Sequence, residues 1–176
     1  KILTEYIREK LGIAVLWGGM HPTIAPDECI EHADMLLCGE GELALADMAD
    51  RLKAGEDITD TPNCWFRISG EEVVKNALRP LVQDLDDLPF RDFHTHDHKF
   101  FINGKGYTQG DPIHGEPVFT MMGSRGCIYK CSYCYNSTYK KDIYPSQKWF
   151  RVRSPASIVA EIKAAQAHWP MKRIRF

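Results

Sequence analysis

Apolar positions in the opening stretch KILTEYIREKLG recur at helical spacing and predict a helix over about residues 2 to 11. The run GIAVLW that follows reads as a buried strand, PDECIEHA as the start of a helix and MLLCG as a short strand. ELALADMADRLKAG then reads as a helix ending at Gly55. Strands alternating with helices point to βαβ units and a parallel sheet. Beyond Thr61-Pro62 the pattern changes: CWFRISGEEVVKN gives two strand-like runs around Ser69-Gly70, a hairpin. The segment DLDDLPFRDFHTHDHKF loses periodicity and gathers Asp, Pro and His, as a linker does. A new unit begins with the strand PVFTMMGSRGC and passes through YPSQKWFRVRS. It enters a helix capped by Ser154 with Pro155 in its first turn, and ends on the strand KRIRF. Strand, loop, helix, strand is the opening of an α/β barrel. No internal repeat of about 20 to 50 residues is present.

The expected class is therefore α/β. Residues 1-60 form part of a Rossmann-like domain, 61-116 a hairpin and linker, and 117-176 the start of an incomplete TIM-type barrel. The pattern begins inside a helix without a cap and stops on an unpartnered strand, so the chain reads as an internal fragment.

Composition agrees with a folded chain: 176 residues, 44% hydrophobic and 26% charged, suit one large or two small domains. No apolar run reaches the roughly 20 residues of a membrane span and no signal segment opens the chain, which predicts a cytoplasmic location. The net charge of −2 conceals a split, because residues 125 to 176 hold 11 Lys/Arg against 2 Asp/Glu. Such a basic half could mark a nucleic-acid surface. Alternatively, Arg125, Arg151 and Arg153 could meet the anionic ends of a cofactor or substrate.

Cysteine placement changes the picture most. In GSRGCIYKCSYCYNS, residues 123 to 137, three of the six cysteines fall within eight positions. Three thiolates on one short loop can converge on one inorganic centre. Structural zinc wants four closed ligands, the fourth coming from a remote residue such as His114 or Cys64. An iron-sulfur cube held by three cysteines instead keeps one iron open for substrate or cosubstrate.

Cys127, Cys131 and Cys134, in CIYKCSYC after SRG, match the Cys-x3-Cys-x2-Cys signature, and the chain here resembles the radical S-adenosylmethionine enzymes. The resemblance implies a 4Fe-4S cluster on those cysteines, with S-adenosylmethionine on the fourth iron and Tyr133 near the adenine. In that family an electron from the reduced cluster cleaves the sulfonium to methionine and a 5′-deoxyadenosyl radical, which takes hydrogen from a small-molecule substrate. The implied electron donor is a protein such as flavodoxin or ferredoxin. Tyr129 and Tyr135 are expected to pack the loop and shield the cluster.

Two glycine turns, LWGGMHPT at 16 to 23 and CGEGE at 38 to 42, each follow an apolar strand. Glycine there permits a sharp turn and close approach of a ligand to the strand ends, although a plain turn explains either one alone. Glu40 and Glu42 could equally be helix N-terminal charges. The order of these turns, hairpin, DLDDLP and cysteine loop is similar to that of the cobalamin-binding subgroup, which includes the anaerobic oxidative cyclase and several methyltransferases. That resemblance implies cobalamin contacts at Gly18, Gly19, His21 and Thr23, and at Gly39, Glu40, Gly41 and Glu42. The subgroup's cobalt-ligand pattern Asp-x-His-x-x-Gly does not occur, since DFHTHD at 92 to 97 lacks the final glycine. His94, His96 and His98 alternate and could chelate a metal, but a solvated linker is the expectation. A transfer-RNA methylthiotransferase would carry a second cluster on Cys29, Cys38 and Cys64. Their spacings do not match that family, and buried thiols explain them better. A zinc-stabilised nucleic-acid-binding module is the alternative from another class.

Overall fold

A computed structural model describes residues 1–70, 72–93, 99–101, 107–109, 118–168 and 171–176. The chain divides into two compact units, each assembled from two stretches of sequence. The first comprises Lys1–Val82 with Cys127–Trp149, the second Gln83–Gly126 with Phe150–Phe176. The proposed histidine chelate at His94, His96 and His98, like His114, lies outside the described residues.

In the first unit, α1 (Ile2–Leu11) leads to β1 (Leu16–Gly18), α2 (Met20–Ile24), α3 (Pro26–Ile30), β2 (Met35–Leu37) and α4 (Glu42–Ala54). The hairpin is β3 (Cys64–Ser69) with β4 (Glu72–Lys75). Their sheet runs in the order β1-β2-β3-β4. Only β1 and β2 are parallel; β3 joins β2 antiparallel, with Leu37 opposite Cys64 and Met35 opposite Phe66. The hairpin is thus part of the sheet rather than of a linker. Its alternation explains why: Cys64 and Phe66 are buried on the face that β2 also presents to the core.

Because successive strand residues face opposite sides, β2 serves two cores. Leu36 packs with Cys29, Ile30 and Ala33 around α3, while Leu37 packs with Ala44 and Met48 of α4. The remaining stretch of this unit holds α5 (Tyr135–Thr138) and a π-helical turn over Tyr139–Ile143. Tyr139, Tyr144 and Trp149 from this stretch bury themselves with Leu81.

In the second unit, β5 (Lys99–Phe101) pairs antiparallel with β6 (Tyr107–Gln109). β7 (Val118–Thr120) continues into β8 (Ser124–Arg125), which pairs with β9 (Arg151–Val152). Then α6 (Pro155–Gln166) leads to β10 (Arg173–Arg175), which lies parallel to β7 with Ile174 opposite Phe119. Ser154 caps α6 by accepting the Ser157 N–H at 3.1 Å, with Pro155 at its first position. Phe119, Met121 and Ala165 form the core here, with Phe93 and, from α6, Ile158 and Ile162. A pair between half-buried Arg153 and buried Glu161 joins the start of α6 to its middle. Among the described residues no helix is long and apolar enough to cross a membrane.

Candidate functional site

The cysteine loop leaves β8 and runs to α5, with Cys134 as the cap residue just before the helix. Cys127, Cys131 and Cys134 are half-buried and none is in a disulfide. Short-range bonds shape the loop: the Cys134 N–H donates to the Cys131 carbonyl at 3.1 Å and the Ser137 N–H to the Cys134 carbonyl at 3.0 Å. The Ser137 hydroxyl also donates to the Cys131 carbonyl at 2.8 Å, and Asn136 Nδ2 donates to Cys134 Sγ at 3.6 Å. The donor set, three thiols within reach of solvent and of one another along the chain, fits an iron-sulfur cluster. Among the described residues no three His, Cys, Asp or Glu side chains converge closely enough to hold one metal ion. The loop therefore carries the three donors spread out.

Tyr133 is 91% exposed and free to meet a ligand. Tyr135 packs as expected, edge-on against Tyr139 with ring centroids 5.8 Å apart. Tyr129 is 67% exposed, so most of its side chain is open to solvent.

The other three cysteines are inert core groups. Cys29, Cys38 and Cys64 are buried. Burial pushes the Cys38 thiol up to about 12 and the Cys64 thiol up to about 11, and raises that of Cys29. Cys38 Sγ donates to the Pro22 carbonyl at 3.2 Å, and Cys64 Sγ lies 3.4 Å from Met48 Sδ. All three are thus core thiols, buried where the loop cysteines are half-exposed.

Both glycine turns lie in the same unit as the cysteine loop. Gly18, Gly19 and His21 are exposed, and Thr23 is buried. Gly19 has φ 98°, and the side of its Cα where a side chain would stand is open space. His21 pairs with Glu28 at 3.7 Å. Thr23 ties the two turns together: its hydroxyl donates to the Gly19 carbonyl at 2.7 Å and accepts the Gly39 N–H at 2.8 Å.

The second turn is occupied by the chain itself. Gly39 has φ 79°, and a Cβ there would overlap the Tyr144 hydroxyl oxygen. The Glu40 carboxylate accepts the Val82 N–H at 3.0 Å, and its carbonyl accepts from Asn63 Nδ2 at 2.8 Å. Gly41 leads into α4, where Glu42 is an exposed first-turn acid. Asn63, buried with φ 73°, was not legible as a site residue; its one signal is the Thr61-Pro62-Asn63 turn and the tolerance of Asn for that conformation.

In the second unit a cavity of about 540 Å³ is lined by Leu85, Leu88, Arg91, Arg125, Arg153 and Glu161, among others. Arg153 is committed to Glu161 and to Ser157 Oγ, and Arg151 is 2% exposed. Of the three arginines considered for the anionic ends of a cofactor or substrate, Arg151 is therefore buried and Arg153 is engaged by Glu161.

No family model matches the chain. Three methyltransferases are similar to it. An uncharacterized methyltransferase of Pyrococcus horikoshii is 25% identical over 167 residues, covering 93% of this chain and 33% of the relative. The bacteriochlorophyllide d C-8(2)-methyltransferase of Chlorobaculum tepidum is 22% identical over 160 residues, covering 91% and 29%. The C-12(1)-methyltransferase of the same organism is 27% identical over 169 residues, covering 94% and 29%. The chain thus spans about a third of the length of the relatives it matches. The fold matches that of the radical S-adenosylmethionine methyltransferase TsrM from Kitasatospora setae, with cobalamin and a 4Fe-4S cluster bound. The TM-score is 0.58 at 18% identity, over 95% of this chain and 31% of that one. The same enzyme with tryptophan and a S-adenosylmethionine analogue gives 0.57 at 19% identity.

Proposed function

We propose that the chain is the cofactor-binding segment of a cobalamin-dependent radical S-adenosylmethionine methyltransferase. In this reading residues 1-60 belong to a Rossmann-like cobalamin-binding domain and 117-176 open the barrel. The observation that carries it is the Cys127, Cys131 and Cys134 loop, three half-buried thiols leaving β8, in one compact unit with both glycine turns. The similarity to methyltransferases along nearly the whole chain supports methyl transfer as the outcome.

Each residue has a defined task. Cys127, Cys131 and Cys134 would hold a 4Fe-4S cluster, with Asn136 donating to the Cys134 sulfur and so tuning it. Tyr133 offers an exposed ring to the adenine of S-adenosylmethionine. Gly18, Gly19 and His21 form an exposed edge against which a corrin or its tail would lie, with Thr23 fixing the turn from below. Gly39, Glu40, Gly41 and Glu42 act chiefly through the chain, anchoring that edge to Tyr144, Asn63 and Val82. When bound, the cofactors supply reducing power, a methyl donor and a methyl carrier, with electrons from a small redox protein. The substrate is a small molecule.

The test uses a form of the protein extended to the length of its relatives, beside the 176-residue chain. Both are reconstituted with iron and sulfide, reduced, and given S-adenosylmethionine and cobalamin. The extended form should consume S-adenosylmethionine and the 176-residue chain should not, because positioning of the cosubstrate needs further barrel strands. An extended form that holds a full cluster yet leaves S-adenosylmethionine intact would refute the proposal.

A further inference from the structure

Residues 84–93 lose all periodicity in the sequence, yet they are bound closely within the second unit. Leu85 is buried in a short 3-10 turn over Leu85–Asp87, and the Asp86 carboxylate accepts the Ser154 N–H at 3.0 Å, at the head of α6. The Arg153 guanidinium lies 5.6 Å from the centroid of the Phe90 ring. Phe93 enters the core beside Phe119, and the Arg91 guanidinium lies 5.5 Å and 5.7 Å from the centroids of those two rings. A solvated linker requires none of these contacts. Together they hold the segment as one wall of the cavity of about 540 Å³.

The other walls come from the end of β7 with the residues after it, and from α6 with its approach. Sites for small molecules commonly enclose about 300–1,000 Å³. The lining is sorted by chemistry. Leu85 and Met121 are buried and Leu88 half-buried, an apolar floor, with Met122 exposed at the mouth. Charge is sorted as well. Residues 84–93 contain four aspartates and one arginine, yet among the described lining residues this segment contributes Arg91 and no aspartate. β8 adds half-buried Arg125. The one carboxylate of the lining, Glu161, is engaged by Arg153. That pair cancels, and Arg91 and Arg125 leave the lining positive. An arginine presents five N–H donors, so each can meet an anion while keeping its neighbours in the fold. Its planar fork also matches a carboxylate through two parallel hydrogen bonds.

We propose that this cavity binds a small organic anion, its apolar body against Leu85, Leu88 and Met121 and its acid group on Arg91 and Arg125. An inorganic anion would leave the apolar floor in water. A neutral hydrocarbon would cover two guanidinium groups without replacing their hydration. The class that satisfies both is a carboxylic acid on an aromatic or branched aliphatic frame. The site does not depend on the cluster reading, since its described lining holds no cysteine and its ligand needs no iron.

The probes are 2-naphthylacetate and its neutral counterpart 2-naphthylacetamide. Each is titrated, without iron, into the 176-residue chain and into the form extended to the length of its relatives, and followed by nuclear magnetic resonance of the methionine methyl groups. The acetate should shift the Met121 and Met122 signals and bind at least about tenfold more tightly than the acetamide, as expected of a hydrogen bond to a charged group. Arg91→Gln and Arg125→Gln should each weaken the acetate by about ten- to a hundredfold and leave the acetamide unchanged. Lys163→Gln, an exposed change on α6 outside the lining, should alter neither. Equal affinity for the two probes, acetate binding that survives Arg125→Gln, shifts confined to other methionines, or no binding at millimolar acetate overturns the proposal. Binding by the 176-residue chain but not by the extended form also overturns it, since another part of the protein would then fill the cavity. If Arg91→Gln and Arg125→Gln do not fold, the contrast between acetate and acetamide decides alone. A chain that takes up no iron defeats the cluster reading and leaves these outcomes as they stand.

Discussion

Replacing Gly39 by Ala tests how tightly the second glycine turn is built against Tyr144. Two costs arise, and they can be separated. The first is backbone strain, since a φ of 79° puts the new Cβ in the left-handed region at about 1–2 kcal/mol. The second is overlap, because the new Cβ would strike the Tyr144 hydroxyl oxygen, on a side chain 2% exposed with no room to withdraw. Overpacking of that kind costs about 1–3 kcal/mol. Gly39→Ala should therefore lose about 2–5 kcal/mol, a large part of the roughly 5–15 kcal/mol of a typical domain. Tyr144→Phe removes the striking atom. The next nearest atoms, Tyr144 Cζ at 3.4 Å and Asn63 Nδ2 at 3.5 Å, are ordinary contacts. In a double-mutant cycle by urea unfolding, followed through the fluorescence of the tryptophans, the pair should thus recover the overlap term and leave only strain. Additivity of the two changes within about 0.5 kcal/mol would refute the close approach of Tyr144 to the turn.

Other expectations follow from burial. Alkylation of the folded iron-free chain at pH 8 should modify Cys127, Cys131 and Cys134 quickly and spare Cys29, Cys38 and Cys64 until urea is added; mass spectrometry of the peptides decides. Because Cys38 and Cys64 are pushed to about 12 and about 11, the unfolded chain loses their protons first. Their contribution to stability is whole below an ordinary thiol's value near 9 and is lost as pH rises toward 11 and 12, at about 1.4 kcal/mol per pH unit for each thiol. Urea midpoints of Cys38→Ala should accordingly fall less steeply above pH 9 than those of wild type. Glu161→Ala should cost about 1.5–3 kcal/mol by removing the carboxylate partner of the half-buried Arg153, which keeps Ser157 as a partner and Asp86 nearby; a loss under about 0.5 kcal/mol in urea unfolding contradicts that pairing. Gly19→Val, in the extended protein, should weaken cobalamin binding through blockage of the open edge and the strain of φ 98°, and an unchanged affinity by titration would reduce Gly18 and Gly19 to a plain turn.

Features decided locally were readable from the sequence. The bounds of α1, the end of α4 at Gly55 and the Ser154 cap of α6 match expectation, because capping and periodicity act within a turn or two of the residues concerned. The strands were foreseen in place but are only three residues long at β1 and β2. The apolar run GIAVLW counted residues such as Ile13 that are exposed. Met20–Ile24 was not foreseen as a helix, since Pro22 in its middle speaks against one; five residues are short enough for the proline to sit in the first turn. The hairpin was recognised but its sheet was not, because pairing of β3 with β2 depends on residues about thirty positions apart. The site shows the same division. Cys127, Cys131 and Cys134 announce themselves by spacing, whereas the approach of Tyr144 to Gly39 spans more than a hundred residues.

The claim on which the rest depends is that one cysteine loop holds one cluster. Reconstitution of the 176-residue chain with iron and sulfide under argon, followed by iron analysis, measures it. The expected result is about four irons per chain, lost in Cys127→Ala, Cys131→Ala and Cys134→Ala and retained in Cys29→Ala, Cys38→Ala and Cys64→Ala. Iron retained after the loop replacements would contradict the account, as would loss of half of it in Cys38→Ala or Cys64→Ala, the mark of a two-cluster enzyme.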